Sequence, residues 1–142
     1  MHQGNGTNTV FDGDESVYTF NMHGAKNFPF HKVNGSRDEA LCDGMGDSEY
    51  LSRLNDALPT VLRTARPDLV VYLAGADPHE GDRLGRLKLT FDGLAQRDEL
   101  VLRSCREIGL PVCVTIAGGY GRDIADTVRV HLQTVAIAAR YA

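Results

Sequence analysis

Three polar, glycine-rich loops hold the side chains of this sequence that could do chemistry. They are residues 2–7, residues 75–85 and residues 118–121. The second and third loops each follow a run of apolar residues typical of a buried strand. Because ligands of open α/β sheets bind beyond the carboxyl ends of the strands, we expect these two loops to lie side by side.

The acidic and histidine side chains of these loops are candidate metal ligands. Asp77 lies three residues past an apolar run, where a sheet can present a carboxylate to a ligand or a metal. A turn or helix cap is an equally good interpretation of an aspartate in a GADP sequence. His2 could also bind a metal, although a simply solvated histidine is the alternative. The other candidate ligands, which could equally form an exposed charged loop, are His79, Glu80 and Asp82.

Tyr120 is the candidate for a catalytic hydroxyl. It follows Gly118 and Gly119, which let the backbone approach a ligand closely and leave the phenol free to project into a cleft. A phenol in that place can donate a hydrogen bond to a developing oxyanion. Packing on the following helix is the alternative interpretation. Phosphate binding is disfavoured because neither GxGxxG nor GxxxxGK[ST] occurs.

The first half of the chain predicts a strand, a long loop and a helix that position these residues. Residues 17–22 are typical of a short strand, and residues 24–46 of a long irregular connection. From Asp47 to Ala65 apolar residues recur every three or four positions, which predicts a helix that Pro59 kinks or divides. Its inward positions are Leu51, Leu54, Leu58, Val61, Leu62 and Ala65.

The second half predicts strands that alternate with helices. Residues 68–74 and 111–117 are continuous apolar runs, typical of parallel strands covered on both faces. Between them, Thr90 caps a helix that Gly109 ends. The inward positions of this helix are Leu94, Leu100, Val101, Cys105 and Ile108. A last helix, residues 123–139, carries one stripe of Ile124, Val128, His131 and Val135. This order favours one α/β domain, residues 1–142, with a parallel sheet.

Composition excludes several classes of function. The chain has 142 residues, 42% of them hydrophobic and 24% charged, and no apolar stretch approaches the roughly 18 to 20 residues that cross a bilayer. The net charge is −4 with no basic patch, which argues against nucleic-acid and membrane partners. The cysteines, Cys42, Cys105 and Cys113, form no CxxC pair. We expect the last two to be buried thiols and the protein to be cytoplasmic.

Short motifs spread along nearly the whole chain resemble one known family. The chain looks like the carboxyl-terminal half of a zinc-dependent deacetylase, in the family of histone deacetylases and acetoin-utilisation proteins, and is most similar to the bacterial class IV-like group. The motifs, in chain order, are His2-Gln-Gly-Asn-Gly-Thr7, Met22-His23-Gly24, Asp43-Gly44, Ala74-Gly75-Ala76-Asp77, Gly81-Asp82-Arg83-Leu84-Gly85 and Gly118-Gly119-Tyr120.

The resemblance implies a fold, cofactors and roles for particular residues. The fold would be a partial arginase–deacetylase fold, three-layered with a mainly parallel sheet and without its amino-terminal half. His2 and Asp77 would be zinc ligands, Tyr120 the catalytic tyrosine, and Gly118 and Gly119 substrate-binding. The substrate would be an acetylated lysine or a small acetylated amine. A structural monovalent cation, potassium, would be held by Phe11, Asp14, Val17 and Met22, with His2 contributing as well.

The sequence also departs from the pattern of that family. The first aspartate of the family's Asp-x-His pair would precede Met1, and no His-His pair, the family's general base and acid, occurs in the chain. Ala117 replaces the first glycine before the tyrosine. We therefore expect a truncated deacetylase that is inactive alone, with a non-catalytic α/β remnant or interaction module as the alternative. An interrupted parallel sheet exposes an edge strand, which predicts self-association.

Overall fold

The computed structural model describes residues 1–142 as an α/β protein of four helices and four strands. The elements in chain order are α1 (Asn5–Val10), β1 (Phe20–Gly24), β2 (Arg37–Leu41), α2 (Asp47–Ala65), β3 (Val70–Gly75), α3 (Phe91–Glu107), β4 (Val112–Ala117) and α4 (Ile124–Ala138). None of the four helices combines the length and the apolar character that crossing a bilayer requires. The cytoplasmic location stays a prediction.

The strands form two separate parallel pairs. β1 pairs with β2 from Phe20 opposite Arg37 onward, and β3 pairs with β4 from Val70 opposite Val112 onward. No strand of one pair is hydrogen-bonded to a strand of the other. The predicted parallel α/β architecture is confirmed, because each pair is joined by a crossover and both pairs are parallel.

The first three residues bridge the two strand pairs. At the end of β1, the backbone N–H of Gly24 donates to the carbonyl of Met1 at 2.9 Å. The backbone N–H of His2 donates to the carboxylate of Asp77, just beyond β3, at 3.2 Å. The side chain of Gln3 donates to the carbonyl of Val33, before β2, and to the carboxylate of Asp38 in β2. Both strand pairs are therefore fastened to one short segment.

The hydrophobic core gathers residues from β2, from three helices and from the loops that follow β2 and β3, and Tyr72 of β3 packs against it. α3 lies between α2 and α4 and packs on both. The buried cluster consists of Met1, Leu41, Met45, Tyr50, Leu54, Leu58, Ala76, Leu87, Leu89, Leu94, Val101 and Val130.

Helices α2 and α3 confirm the predicted periodicity. α2 spans the predicted residues without interruption, so Pro59 does not divide it. Packing of its buried face compensates for the hydrogen bond that proline removes. The side chain of Thr90 caps α3 as predicted, accepting from the N–H of Gly93 at 3.1 Å. Asp47, the first residue of α2, accepts from the backbone and hydroxyl of Thr90 and so joins the starts of both helices.

Two elements were not predicted. Residues 37–41 form β2 within the segment expected to be irregular, and residues 5–10 form the short helix α1. The charged sequence of β2 has low strand propensity, but pairing with β1 overrides it because strand formation depends on context. Its polar side chains have partners as well, since Arg37 pairs with Glu39 at 2.7 Å.

The apolar runs of β3 and β4 are not covered on both faces, contrary to expectation. Val71 and Leu73 are more than half exposed, and Cys113 and Ile116 of β4 are exposed too. No element of the chain packs against the outer face of β3, so its alternate side chains stay accessible. Cys105 is buried as predicted, whereas the expectation of a buried thiol at Cys113 was wrong.

The inward stripe of α4 also differs from the prediction. Three of the four predicted positions are exposed, and α3 is faced instead by Val130, Thr134 and Ile137. The predicted positions that are exposed are Ile124, Val128 and Val135. This helix is apolar on two sides, so periodicity alone does not select the buried one. Ile108, just past α3, is exposed for a different reason, because the helix ends before it.

Candidate active site

The three glycine-rich loops meet at the carboxyl ends of β3 and β4. The N–H of Ala76 donates to the carbonyl of Ala117 at 3.1 Å. The N–H of Tyr120 donates to the carboxylate of Asp82 at 2.6 Å, and the N–H of Arg83 donates back to the carbonyl of Tyr120 at 3.0 Å. The prediction that the second and third loops lie side by side is confirmed.

His2 and Asp77 form a close pair at the centre of this meeting point. Nδ1 of His2 lies 3.0 Å from Oδ2 of Asp77. Asp77 is only 5% exposed, whereas the side chain of His2 is partly accessible. Burial alone raises the pKa of the Asp77 carboxyl, but the hydrogen bonds from His2 and the charge of the Met1 amino group, 3.3 Å away, outweigh it and hold that pKa below its ordinary value. The carboxylate is thus ionised at neutral pH, as a metal ligand must be.

This pair fits two positions of a zinc site. Imidazole nitrogen and carboxylate oxygen are both zinc ligands, and two such atoms on one tetrahedral ion lie roughly 3.3 Å apart. The observed separation of 3.0 Å is close to that value. No group of three or more His, Cys, Asp or Glu side chains that could hold a metal ion is present in the chain. The pair offers two candidate ligands, whereas catalytic zinc takes three from protein.

Gly118 and Gly119 let the third loop approach this pair. Gly118 has φ +51°, and a Cβ atom there would lie 2.9 Å from Cγ of Asp77. Gly119 has φ +126°, and a Cβ atom there would lie 2.8 Å from the methyl carbon of Thr127. A larger residue at either position would strain the backbone, and it would press on the Asp77 carboxylate at Gly118 and on Thr127 at Gly119.

Tyr120 lies at the wall of a cavity of about 400 Å³ that opens beside His2. Tyr120 is 56% exposed, so its phenol is accessible. The cavity is lined by His2, Lys26, Asn27, Phe28, Phe30, Leu84, Arg86 and Tyr120. Sequence analysis missed the contribution of residues 26–30, because that loop carries no acid–base or metal-ligand pattern of its own.

Asp82 organises the loops instead of facing the cavity as a ligand. Its carboxylate accepts from the backbone N–H groups of Leu84 at 2.8 Å, Gly85 at 2.7 Å and Tyr120 at 2.6 Å. The carboxylate oxygens of Asp82 are thus bonded within the protein, and Asp82 is only 6% exposed. Asp82 thereby holds the tyrosine loop against the loop that carries Asp77.

His79 and Glu80 do not join the metal-ligand pair either. The ring of His79 is buried, stacks on Phe91 at a centroid distance of 4.2 Å and accepts from the N–H of Gly81 at 3.2 Å. Glu80 is exposed. Neither belongs to a cluster of metal-ligating side chains.

A buried ionic network joins α3 to the end of β3 beside the site, and it was not predicted from the sequence. Arg97 donates to the carbonyl of Gly75 at 2.7 Å and to the carboxylate of Asp98 at 2.9 Å. Asp98 also accepts from the hydroxyls of Tyr72 at 2.5 Å and Thr134 at 2.6 Å. Because Gly75 lies two residues before Asp77, the network fixes the turn that presents the Asp77 carboxylate. The only sequence signal was an arginine at an inward helical position, three residues after a buried leucine.

The residues predicted to hold potassium lie in two places. Phe11, Asp14 and Val17 share the loop after α1, where the carbonyls of Phe11 and Asp14 accept backbone N–H groups at 3.1 and 3.2 Å. Met22 lies in β1, opposite Glu39 of β2. The cation site stays a prediction.

Comparison with known proteins decides the family. Residues 1–135 match the histone deacetylase domain. The chain belongs to the histone deacetylase family. Among its relatives are an uncharacterized protein of Picosynechococcus, 45% identical over 131 residues, and Histone deacetylase 2 of Arabidopsis thaliana, 38% identical over 134 residues. These alignments cover 92% and 89% of the chain, but only 44% and 35% of the two relatives.

Two solved structures share the fold of this chain. The chain superposes on acetylpolyamine aminohydrolase from Burkholderia pseudomallei with a TM-score of 0.78 and 21% identity, covering 96% of this chain and 42% of that one. It superposes on the HDA15 HD domain with a TM-score of 0.79 and 22% identity, covering 97% and 43%. The arginase–deacetylase fold implied by the sequence motifs is confirmed. The chain spans less than half the length of these relatives and neighbours.

Proposed function

We propose that this chain forms the part of a zinc-dependent deacetylase that binds the metal and the acyl group, for hydrolysis of an N-acetyl amide such as acetyl-lysine or a small acetylated amine. The observation that carries the proposal is the buried pair of His2 and Asp77 beside the loop of Tyr120. Membership of the histone deacetylase family supports the same reaction class.

Each residue of the site has a role in this proposal. His2 and Asp77 would hold zinc, which when bound supplies a Lewis acid for the acyl carbonyl and acidifies the attacking water. The phenol of Tyr120 donates a hydrogen bond to the carbonyl oxygen of the acyl group as negative charge develops on that oxygen. Gly118 and Gly119 keep the backbone close enough for the acyl group to reach the phenol. Phe28 and Phe30 supply apolar walls beside the acyl chain.

We further propose that this chain is inactive when alone. It supplies two metal ligands, and it contains no His-His pair to act as general base and acid. A missing general base lowers a rate by about 10² to 10⁴. The absence of a third ligand favours a second candidate function, a non-catalytic remnant or interaction module that keeps the scaffold.

Hydrolysis of an acetyl-lysine reporter by the zinc-supplemented chain tests whether the chain is catalytic alone. We expect background rates for the wild type and for Tyr120→Phe and Asp77→Ala alike. Activity that both substitutions abolish would show that the chain is catalytic alone. It would contradict both the inactive-fragment proposal and the remnant.

Zinc binding tests the metal-ligand assignment independently of turnover. Competition with a chelating dye should detect zinc on the wild-type chain and a loss of affinity in His2→Ala and in Asp77→Ala. His31→Ala is the matched control, because His31 is exposed and lines no part of the cavity. Equal zinc affinity in all four proteins would show that neither His2 nor Asp77 is a zinc ligand.

A further inference from the structure

We infer that the cavity beside Tyr120 selects an acylated amine whose amine portion carries a carboxylate, and that Lys26 and Arg86 bind this carboxylate. The inference rests on the proposed function for the position of the acyl group. It goes beyond that function because it fixes the charge of the substrate.

The charge of the cavity lining is one-sided. Its eight residues include two permanent cations, Lys26 and Arg86, and no aspartate or glutamate. Two carboxylates lie next to lining residues, because Asp43 is paired with Arg86 at 3.0 Å and Asp77 is bound to His2. Lys26 is therefore the cation of the lining that has no carboxylate beside it.

Lys26 is the cation that is free for a ligand. It is exposed and forms no ion pair within the protein. Arg86 is 3.0 Å from the carboxylate of Asp43, which fixes its guanidinium at the cavity while leaving half of the side chain exposed. The planar guanidinium has further N–H donors that a second carboxylate can use.

Hydrogen bonds fix the loop that carries Lys26, so the backbone holds this side chain at the cavity. The amide of Asn27 donates to the carbonyl of Leu84 across the cavity at 2.9 Å. The ammonium of Lys32 is used internally, because it donates to the carbonyls of Asn27 and Pro29. Lys32 thus stabilises the loop and leaves Lys26 to face the ligand.

The depth of the residues gives the orientation of the substrate. Asp77 is buried and His2 is partly buried, whereas Lys26 and Arg86 are exposed at the outer end. With the acyl group at the metal-binding pair, the amine portion leaves the cavity between the two cations. A carboxylate there is attracted and a second ammonium group, as in a polyamine, is repelled.

Two probes of matched length test this inference. Nα,Nε-diacetyl-lysine carries a carboxylate, and N-acetylcadaverine carries an ammonium group on a chain of similar length. Binding to the chain is measured by chemical-shift titration at low salt. We expect the anionic probe to bind roughly fivefold more tightly, as expected for exposed charge pairs. The preference should shrink at 0.5 M salt because exposed charges are screened.

Charge reversal at Lys26 locates the preference. Lys26→Glu should abolish or invert the ratio of the two affinities. Arg63→Glu makes the same change of net charge at an exposed residue outside the cavity, and it should leave the ratio unchanged. Unfolding measurements on both variants check that each is folded.

Three outcomes would overturn the inference. They are equal affinity for the two probes, tighter binding of N-acetylcadaverine, and an equal effect of Lys26→Glu and Arg63→Glu. None of these results depends on hydrolysis. If a reconstituted enzyme containing this chain failed to hydrolyse any acetylated amine, the proposed function would fail while the charge preference could still be measured.

Discussion

At the scale of single residues, the site depends on how closely the backbone of Gly118 approaches Asp77. An ionised carboxylate that is 5% exposed needs polar neighbours, and His2 provides them from one side. On the other side, Gly118 leaves just enough room for the carboxylate. The orientation of Asp77 therefore depends on the absence of a side chain at Gly118 as much as on the hydrogen bonds from His2.

Substitution of Gly118 should consequently damage both stability and metal binding. Gly118→Ala places a Cβ 2.9 Å from Cγ of Asp77 at a left-handed φ of +51°. We expect the free energy of unfolding to fall by about 1–2 kcal/mol from the backbone conformation alone, and zinc affinity to fall with it. Denaturant titration and dye competition measure the two effects.

Gly6→Ala is the control for that substitution. Gly6 lies in α1, and a Cβ atom there would meet nothing within 4 Å. The control should retain the stability and zinc affinity of the wild type. If Gly118→Ala behaved like Gly6→Ala, the close approach would have no energetic role.

At the scale of elements, α3 connects the sheet to the last helix through charged groups that are fully enclosed. Asp98 is 0% exposed and binds groups from β3, from α3 and from α4. Arg97 reaches from the same helix to the carbonyl that ends β3. Buried ion pairs of this kind are costly to break because each partner left alone remains in a medium of low polarity.

Removal of Asp98 should therefore be strongly destabilising. Asp98→Ala leaves the guanidinium of Arg97 buried without its carboxylate, and we expect a loss of about 3–5 kcal/mol in unfolding free energy. The neighbouring substitution Glu99→Ala breaks partly exposed contacts with Arg140 and Tyr141 and should cost about 1 kcal/mol or less. Similar losses for the two variants in denaturant unfolding would contradict the role of the network.

The same network makes stability sensitive to alkaline pH. Burial raises the pKa of the Tyr72 hydroxyl well above its usual value, and the negative charge of Asp98 adds to that effect although Arg97 opposes it. The folded state keeps the proton where the unfolded chain has lost it. The stabilisation is thus complete below pH of about 10 and declines as pH rises above that value.

Tyr72→Phe should accordingly flatten the fall of unfolding free energy between about pH 10 and pH 11. Tyr120→Phe removes a hydroxyl from an exposed side chain and should retain the wild-type dependence. Denaturant unfolding at successive pH values gives both curves. A wild-type slope in Tyr72→Phe would exclude Tyr72 as the cause.

The elements that could be predicted from the sequence are those whose residue pattern is compatible with only one kind of secondary structure. The apolar spacing of α2, the capping Thr90 of α3 and the apolar runs of β3 and β4 all correspond to observed elements. β2 was missed because Arg37-Asp-Glu-Ala-Leu41 becomes a strand only through its partner. The buried side of α4 was assigned wrongly because both sides are apolar.

The candidate site was predictable in part, for a related reason. Loops that follow parallel strands must converge, so Asp77 and Tyr120 could be placed together from the strand pattern. The pairing of His2 with Asp77 followed from the family motifs alone, since 75 residues separate them. The network around Asp98 and the cations of the cavity depend on tertiary contacts between distant segments, which spacing along one chain does not reveal.

At the scale of the whole molecule, two apolar surfaces remain uncovered. One is the outer face of β3, with Val71 and Leu73 more than half exposed. The other is the outer side of α4, where the exposed residues are Ile124, Val128, Leu132 and Val135. Exposed apolar groups of this density are unusual in monomers and favour association.

We therefore expect the isolated chain to self-associate. Sedimentation velocity should show a weight-average mass that rises with concentration, and Leu73→Lys should reduce the rise because it places a charge on the outer face of β3. Thr64→Lys adds the same charge at an exposed position of α2 and should not change the association. A monomer at every concentration would contradict this expectation.

The bridge formed by residues 1–3 has a consequence for how the protein opens. The two strand pairs share a core but exchange no strand hydrogen bonds, so β1 and β2 can separate from the rest without breaking the ladder of β3 and β4. Such a unit opens at lower free energy than the whole protein. Amide hydrogen exchange should therefore be faster in β1 and β2 than in β3 and β4, and bound zinc should slow it. In the proposed zinc site, His2 would then couple the two strand pairs, so that metal binding restricts their separation.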